Sequence, residues 1–272
     1  MELVDCHTHT AFSGHGSGTV AEVVGRAREL GLATLALTEH LWLPEWLDPA
    51  HGDSMTKGQT ELYLSQLHEQ RAMLEEQHAP LELVIGVEAD WLDGRAEELA
   101  SLCAPYEYVL GSVHFVDGLA VDYAKDVGAW PELGVDETWS RYFEKWLDMA
   151  KSPAPFSAFA HPDLPKKYGL CPSFDTREYF AEMAHVTAQR GCMIEVNTSG
   201  QRKDVGEAYP SLAVLRQFFA AGVECTVGSD AHAPADTAAG VEDAYALMRA
   251  AGYRYVTVPT RDGDRRHIRL EG

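Results

Sequence analysis

The chain alternates between segments in which apolar residues have helical spacing and short, continuous apolar runs. At four places a helical pattern ends at a glycine and a β-rich run follows, the glycines being Gly31, Gly191, Gly222 and Gly252. Glycine accepts the left-handed backbone that ends a helix, and a continuous apolar run after a short connection is typical of a buried parallel strand. This repeated order predicts an α/β fold built from βα units.

The first helix illustrates the pattern. Thr19 and Glu22 have the spacing of a capping box, and apolar residues keep helical spacing from there to Leu30. Further apolar runs predict about eight strands in all, the additional ones lying at 3–6, 83–87, 108–113 and 156–160. We therefore expect one barrel-like domain over residues 1–272.

Metal-capable side chains stand at or just past the carboxyl end of nearly every predicted strand. They are His7, His9, His40, Glu88, His114, His161, Asn197, Asp230 and His232. The carboxyl ends of parallel barrel strands meet at one rim, so residues distant in sequence are predicted to line one pocket. His15, in a glycine-rich loop after the first pair, joins this group. We interpret the other five histidines as structural or surface residues: His51, His68, His78, His185 and His267.

Two pairs of these residues have a spacing of two. His7 and His9 lie near the start of the chain, and Asp230 and His232 lie near its end. In extended backbone such a pair faces one side and can hold one ion. Each pair alone also fits an ordinary alternative, two surface histidines or an aspartate that caps the next helix. Gly228 and Ser229, just before the second pair, are predicted to permit a tight turn at the rim.

Glu88 follows a fully apolar run, where an unpaired carboxylate is costly. It therefore needs a metal ion or a basic partner, and Asp90 is a candidate acceptor that orients a histidine. Seven histidines and two carboxylates are too many ligands for one ion, which predicts two or three ions. Imidazole and carboxylate ligation without thiolates suits Zn, Fe or Mn.

Composition excludes several classes of protein. With 46% hydrophobic residues the chain has material for a core, and its net charge of −20 with no basic stripe disfavours nucleic acid and anionic membranes as partners. The five cysteines show no C-x-x-C spacing and are expected to be reduced, as in a cytoplasmic protein. No run approaches the roughly 18 apolar residues of a membrane span, so we expect a chain that is neither exported nor membrane-spanning.

Four motifs resemble those of the polymerase and histidinol phosphatase (PHP) family: H-T-H at 7–9, T-E-H at 38–40, G-S-V-H at 111–114 and G-S-D-A-H at 228–232. The stretches H-P-D-L-P-K-K from His161 and E-V-N-T-S-G-Q-R-K from Glu195 resemble its histidinol-phosphate phosphatase branch. The resemblance implies a single distorted (β/α)7 barrel with three metal ions on the carboxyl-terminal rim of the strands.

The resemblance also implies which ligands share an ion. The first ion is assigned to His7, His9, Glu88 and Asp230, the second to Glu88, His114 and His161, and the third to His15, His40 and His232. The implied reaction is hydrolysis of L-histidinol phosphate to L-histidinol and phosphate in histidine biosynthesis. A metal-activated hydroxide would attack phosphorus, in agreement with what clustered divalent ions do chemically.

The resemblance also implies which residues contact the substrate. Arg202 is implied as the phosphate clamp, and Lys166 and Lys167 are weaker candidates. The group that protonates the departing alkoxide is left open between a metal-bound water and Asp230. The loop at 41–58 is predicted to be long, with Trp42 and Trp46 either forming a substrate wall or pinning the loop to the barrel.

Three alternatives remain at this stage. They are a PHP-type phosphoesterase or nuclease that acts on another phosphorylated substrate, an amidohydrolase-type hydrolase and a non-catalytic metal-stabilised module. The expected partner is a small phosphate ester, and the sequence does not distinguish a monomer from a homo-oligomer.

Overall fold

Eleven short strands occur in the residues that the computed structural model describes, which are 1–48, 52–123, 130 and 134–270. In chain order they are β1 Val4–Asp5, β2 Thr34–His40, β3 Glu82–Asp90, β4 Tyr108–Ser112, β5 Phe115–Val116, β6 Leu119–Ala120, β7 Ala158–Phe159, β8 Met193–Asn197, β9 Cys225–Gly228, β10 Tyr255–Pro259 and β11 Arg265–Arg269. His51 and the middle of the predicted 41–58 loop lie outside these residues.

Seven of these strands form one parallel sheet in the order β1-β2-β3-β4-β7-β8-β9. The two edges of the sheet meet: the backbone N–H of Cys6 donates to Val227 O at 3.0 Å, and that of Asp230 donates to His7 O at 2.8 Å. A parallel bridge between Thr8 and Ala231 continues this contact. The sheet is therefore a nearly closed barrel of seven strands, which confirms the predicted (β/α)7 fold.

In the described residues, a helix connects each barrel strand to the next, and one more helix follows β9. They are α1 Val20–Leu30, α2 Lys57–Glu76, α3 Ala96–Cys103, α4 Val135–Lys151, α5 Arg177–Arg190, α6 Leu212–Ala220 and α7 Val241–Ala251. Helix α1 has the predicted capping box, in which Thr19 Oγ1 accepts from the Glu22 backbone and Glu22 accepts from the Thr19 backbone. Gly31 ends the helix with a φ of 70°, as predicted.

Barrel strands are buried on both faces, and this explains their continuous apolar runs. Every residue of β2 is buried, and eight of the nine residues of β3 are buried. Each strand carries a buried carboxylate near its carboxyl end, Glu39 in β2 and Glu88 in β3. The two strands therefore place buried carboxylates at the same rim of the barrel.

Two predictions about elements are wrong. The run at Tyr255–Pro259 is a strand but not part of a βα unit, because it pairs antiparallel with β11 outside the barrel sheet. Only a few residues with a turn at Gly263 connect β10 and β11, too few for a parallel crossover. The loop predicted to end at Gly58 ends earlier, since Thr56 and Gln59 form a capping box that starts α2 at Lys57.

Two further expectations concern cysteines and membranes. All five cysteines are free, and only Cys171 is exposed. Over the described ranges, no helix combines the length and the apolar character needed to cross a membrane.

Candidate metal centre

Nine side chains converge at the carboxyl-terminal rim of the barrel, and they are the nine residues predicted from the sequence: His7, His9, His15, His40, Glu88, His114, His161, Asp230 and His232. Six of them line an open cavity of about 370 Å³, namely His15, His40, His114, His161, Asp230 and His232. The other three, His7, His9 and Glu88, are buried. The lining also includes Leu43 and Asp53 from the 41–58 loop and Phe115 from β5.

Glu88 lies at the centre of the cluster and is 2% exposed. Its Oε2 atom is 3.2 Å from His7 Nε2, 3.5 Å from His9 Nε2 and 3.0 Å from His40 Nδ1. Although three rings surround it, this buried oxygen has no hydrogen-bond partner in the described part of the chain. An unsatisfied carboxylate oxygen among ring nitrogens is the arrangement that a bound cation would complete.

The second oxygen of Glu88 faces two more histidines. His161 Nε2 is 3.0 Å and His114 Nε2 is 3.5 Å from Glu88 Oε1, which also accepts the hydroxyl of Ser112. One carboxylate thus has imidazole nitrogens on both oxygens. A carboxylate placed in this way can bridge two ions.

Three groups of possible ligand atoms occur in the described residues, each with all its atoms within 4.8 Å of one another. They are His7 with His9 and Asp230, His40 with Glu88 and His114, and His9 with His40 and His232. The first group agrees with the ligand set implied for the first ion. The other two combine residues that the resemblance assigns to different ions, because the rings are packed closely: the His9 and His40 ring centroids are 4.2 Å apart.

His15 contributes from the edge of the cluster. Its Nδ1 lies 3.1 Å from Ser13 O and 3.2 Å from Gly52 O, so this nitrogen is the donor and Nε2 is left as the free lone pair. The His15 ring centroid is 4.7 Å from that of His232 and 5.3 Å from that of His40. His15 therefore stands beside the other two ligands implied for the third ion.

Buried carboxylates fix the histidine rings from behind. Asp90 Oδ2 is 3.1 Å from His114 Nδ1, as predicted for an orienting acceptor. Glu195 and Glu39 do the same for the first histidine pair and were missed in the sequence. Like Glu88, each of them is a carboxylate within an apolar run, and this pattern is the signal in the sequence that points to both.

The charges of the cluster shift the pKa values of its members in opposite directions. Burial lowers the pKa of His9, but hydrogen bonds with Asp230 and Glu39 outweigh burial and raise it to about 9. Burial likewise lowers the pKa of His114, and Asp90 and Glu88 raise it to about 10. The metal-free site therefore holds protonated imidazoles at neutral pH.

The two central carboxylates respond to the same charges. Burial raises the pKa of Glu88, but His7 and the other nearby histidines hold it well below its usual value. Burial acts in the same sense on Asp230, and the histidines again keep its pKa well below the usual range. Both groups are ionised at neutral pH, which favours Asp230 as a ligand and disfavours it as a proton donor.

Gly228 is required for close packing rather than for the predicted turn. It is the last residue of β9 and has no positive φ, so this position does not use the left-handed backbone that glycine permits. A Cβ at this position would lie 2.2 Å from His7 Cβ and 2.3 Å from Glu195 Oε1. The glycine therefore permits His7 and Glu195 to approach each other across β9.

The predicted substrate-binding residues have different positions. Arg202 and Lys167 both line the cavity, and so does Lys203, which the sequence analysis did not single out. Arg202 donates to Ser229 O at 2.7 Å, and Lys167 donates to the carboxylate of Asp122 at 3.0 Å.

Lys166 is absent from the described lining of the cavity. It is 5% exposed, and its ammonium group contacts Asp163 at 2.9 Å and Glu207 at 2.7 Å. These two carboxylates satisfy its charge inside the protein. We therefore do not retain Lys166 among the substrate-binding residues.

The two tryptophans of the 41–58 loop also lie away from the described cavity lining. Lys57 Nζ lies over the Trp42 ring at 4.0 Å from its centroid, and Trp46 is 66% exposed. Leu43 and Asp53 are the residues of this loop that line the cavity.

We predict that the metal-free protein releases about three protons when it binds Zn²⁺ at pH 7.5, because imidazolium rings must lose their protons before they can ligate. The pKa values of His9 and His114 are about 9 and about 10. Burial lowers the pKa of His7, but Glu195 and the other nearby carboxylates hold it well above its usual value, so these three rings carry the protons that zinc displaces. Calorimetric titrations in buffers of different ionisation enthalpy measure this number. The variant His185→Ala, at an exposed position in α5, should release as many protons. A binding enthalpy independent of the buffer would contradict the prediction.

Comparisons with known proteins agree with this geometry. The sequence profile of the PHP domain matches residues 5–199. A probable histidinol-phosphatase of Deinococcus radiodurans is 32% identical over 258 residues, which are 94% of this chain and 96% of the relative. A probable histidinol-phosphatase of Schizosaccharomyces pombe is 26% identical over 256 residues, 85% of this chain and 81% of the relative.

A solved structure has the same fold. The histidinol phosphate phosphatase of Lactococcus lactis, in complex with Zn, L-histidinol and phosphate, superposes with a TM-score of 0.80 at 21% identity. The match covers 96% of this chain and 97% of that one. The profile match, the Deinococcus relative and the shared barrel show that this chain belongs to the PHP family.

Proposed function

We propose that the protein is a metal-dependent phosphomonoesterase that hydrolyses L-histidinol phosphate to L-histidinol and phosphate, a step of histidine biosynthesis. The observation that carries this proposal is the buried Glu88 carboxylate, which five imidazole nitrogens face and whose Oε2 lacks a hydrogen bond. Relatives named as probable histidinol-phosphatases, which match most of the chain, support the choice of substrate.

The nine clustered side chains fit two to three divalent ions, with Zn, Fe or Mn as candidates. All donor atoms are nitrogen or oxygen, which suits these metals. Zinc is the first candidate because the Lactococcus lactis protein was solved with it. His7, His9 and Asp230 are the best-supported set for one ion, and Glu88 is the proposed bridge to a second.

When bound, such ions polarise phosphoryl oxygens and acidify a water molecule. The chain itself supplies orientation and charge. Asp230 is held for its ligand role, because its Oδ2 accepts from Asn197 Nδ2 at 3.2 Å and from Ser199 Oγ at 3.0 Å. These two bonds keep Oδ1 directed at the histidines, where it lies 3.3 Å from His9 Nε2.

Arg202 is the proposed phosphate clamp. Its guanidinium group lines the cavity and donates from one nitrogen to Ser229 O, which leaves other N–H groups for phosphoryl oxygens. Lys203, beside it in sequence, and Lys167 also line this cavity and add positive charge to it. In a chain with net charge −20 this local basic group favours a phosphate ester.

We extend the proposal to the setting of the enzyme. Its partner is a small phosphate ester rather than nucleic acid or a membrane, because the net charge opposes both polyanions. The free cysteines suit a reducing compartment, for which we propose the cytoplasm. Residues 1–272 are proposed to act as one domain, as a monomer or a homo-oligomer.

The proposed substrate predicts a preference that can be measured. On protein whose metals have been counted, kcat/KM for L-histidinol phosphate should exceed that for p-nitrophenyl phosphate by on the order of 100-fold. Phosphate release should be compared for these two esters and for a short single-stranded DNA. Activity on DNA, or equal activity on both esters, would retain the metal centre and overturn the substrate.

The proposed clamp predicts a separate effect. Arg202→Ala should lower kcat/KM by about 100-fold or more, because a charge-assisted, bidentate contact with the phosphate is lost, and metal content should be unchanged. The matched control is Arg177→Ala, an exposed arginine paired with Asp175 outside the described cavity lining. Unchanged kinetics of the Arg202 variant would remove the clamp assignment.

A further inference from the structure

We propose that Glu195 is a positioning residue that fixes the tautomer of His7 and thereby sets the affinity of the centre for metal. This inference rests on the proposed metal centre but not on the identity of the substrate. Glu195 lies in β8, is 1% exposed, and its Oε1 is 2.7 Å from His7 Nδ1. His7 Nε2 then points at Glu88 and lies 3.0 Å from His9 Nε2.

The barrel is built to allow this contact. Strand β9 lies between β8 and the segment that follows β1, so the hydrogen bond from His7 to Glu195 must cross it. It does so at Gly228, where any side chain would collide with both partners. The contact is therefore direct, buried and fixed by backbone on both sides.

The other oxygen of Glu195 shows why a carboxylate is needed. Oε2 accepts from the backbone N–H of His161 and from Asn197 Nδ2, each at 3.2 Å. The amide of Asn197 cannot turn round, because its Oδ1 accepts the backbone N–H of Ser199 at 2.9 Å. Two fixed donors thus face Oε2, so this position must be an oxygen that only accepts.

A glutamine at this position meets a conflict in either orientation. With its amide nitrogen at the Oε2 position, the glutamine would place an N–H donor against two other donors, the His161 backbone N–H and Asn197 Nδ2. With its amide nitrogen at the Oε1 position, it would donate to His7 Nδ1 and force the ring proton onto Nε2. Nε2 faces Glu88 and is the nitrogen available to a metal ion, so the proton would occupy the ligand position. Only a carboxylate leaves Nε2 free.

The same arrangement occurs twice more around the centre. Glu39 receives His9 Nδ1 on one oxygen and the Thr10 backbone N–H on the other. Asp90 receives the ring and the backbone N–H of His114 on its two oxygens. Each carboxylate is thus fixed by a backbone donor and holds the proton on Nδ1 of a ligand. Glu195 has the shortest ring contact of the three, at 2.7 Å.

The test compares the zinc affinities of two variants. If Glu195 only fills space, the aspartate variant should bind zinc more weakly, whereas if its carboxylate is needed as an acceptor, the glutamine variant should bind more weakly. Glu195→Gln keeps the volume and loses the acceptor, whereas Glu195→Asp keeps the acceptor and loses a methylene. Zn²⁺ affinity of each metal-free protein is measured by competition with a chromophoric chelator. We expect Glu195→Gln to bind zinc about 10- to 100-fold more weakly than the unchanged chain, and Glu195→Asp to lose less.

The opposite ranking, with the aspartate variant weaker, would overturn the proposal, as would unchanged affinity in Glu195→Gln. The matched control is Glu224→Gln, which removes a partly exposed carboxylate paired with Arg265 and should leave zinc affinity unchanged. If Glu195→Gln does not fold, Glu195→Asp alone decides: affinity within about tenfold is expected, and a loss beyond about 100-fold contradicts the proposal. Zinc affinity is read without substrate, so a wrong substrate assignment would not affect this test.

Discussion

The structure depends on one buried carboxylate. Glu88 carries its charge at the centre of the barrel rim, and its ion-pair partners in the described residues are all histidines. A charge this deep is expensive unless cations surround it. Protonated imidazoles supply them in the metal-free protein, and divalent ions supply them when they replace those protons. The cluster is therefore stable in both states only because the fold brings the histidines to one point.

The barrel makes this convergence possible. Its parallel strands stand in register at the rim, with His40 paired opposite Glu88 on the neighbouring strands. Closure between β1 and β9 then brings the first motif of the chain against the last, and Gly228 leaves room for the pair of His7 and Glu195. Metal ligands and the carboxylates behind them thus depend on the same backbone contacts that close the sheet.

The sequence identifies the ligands because all of them except His15 lie at or just past the end of an apolar run, and the carboxyl ends of parallel barrel strands meet at one rim. The sequence does not show which neighbour a side chain contacts in the fold, so the roles of residues that depend on that neighbour could not be predicted. Lys166 and Lys167 are adjacent and chemically equal, yet one is satisfied by Asp163 and the other lines the cavity. Likewise β10 has the apolar pattern of a barrel strand, and only the short connection to β11 makes it a hairpin. Glu39 and Glu195 each lie within an apolar run, and this pattern predicts a buried carboxylate that needs a partner.

The most direct measurement of the central claim is anomalous diffraction from crystals of the metal-loaded protein, with data collected on both sides of the zinc absorption edge. The account predicts at least two anomalous peaks, each about 2 Å from an oxygen of Glu88, with ligand nitrogens of His7 and His9 on one of them. A single ion that does not touch Glu88, or zinc bound only at surface residues, would contradict the claim that this carboxylate organises the site.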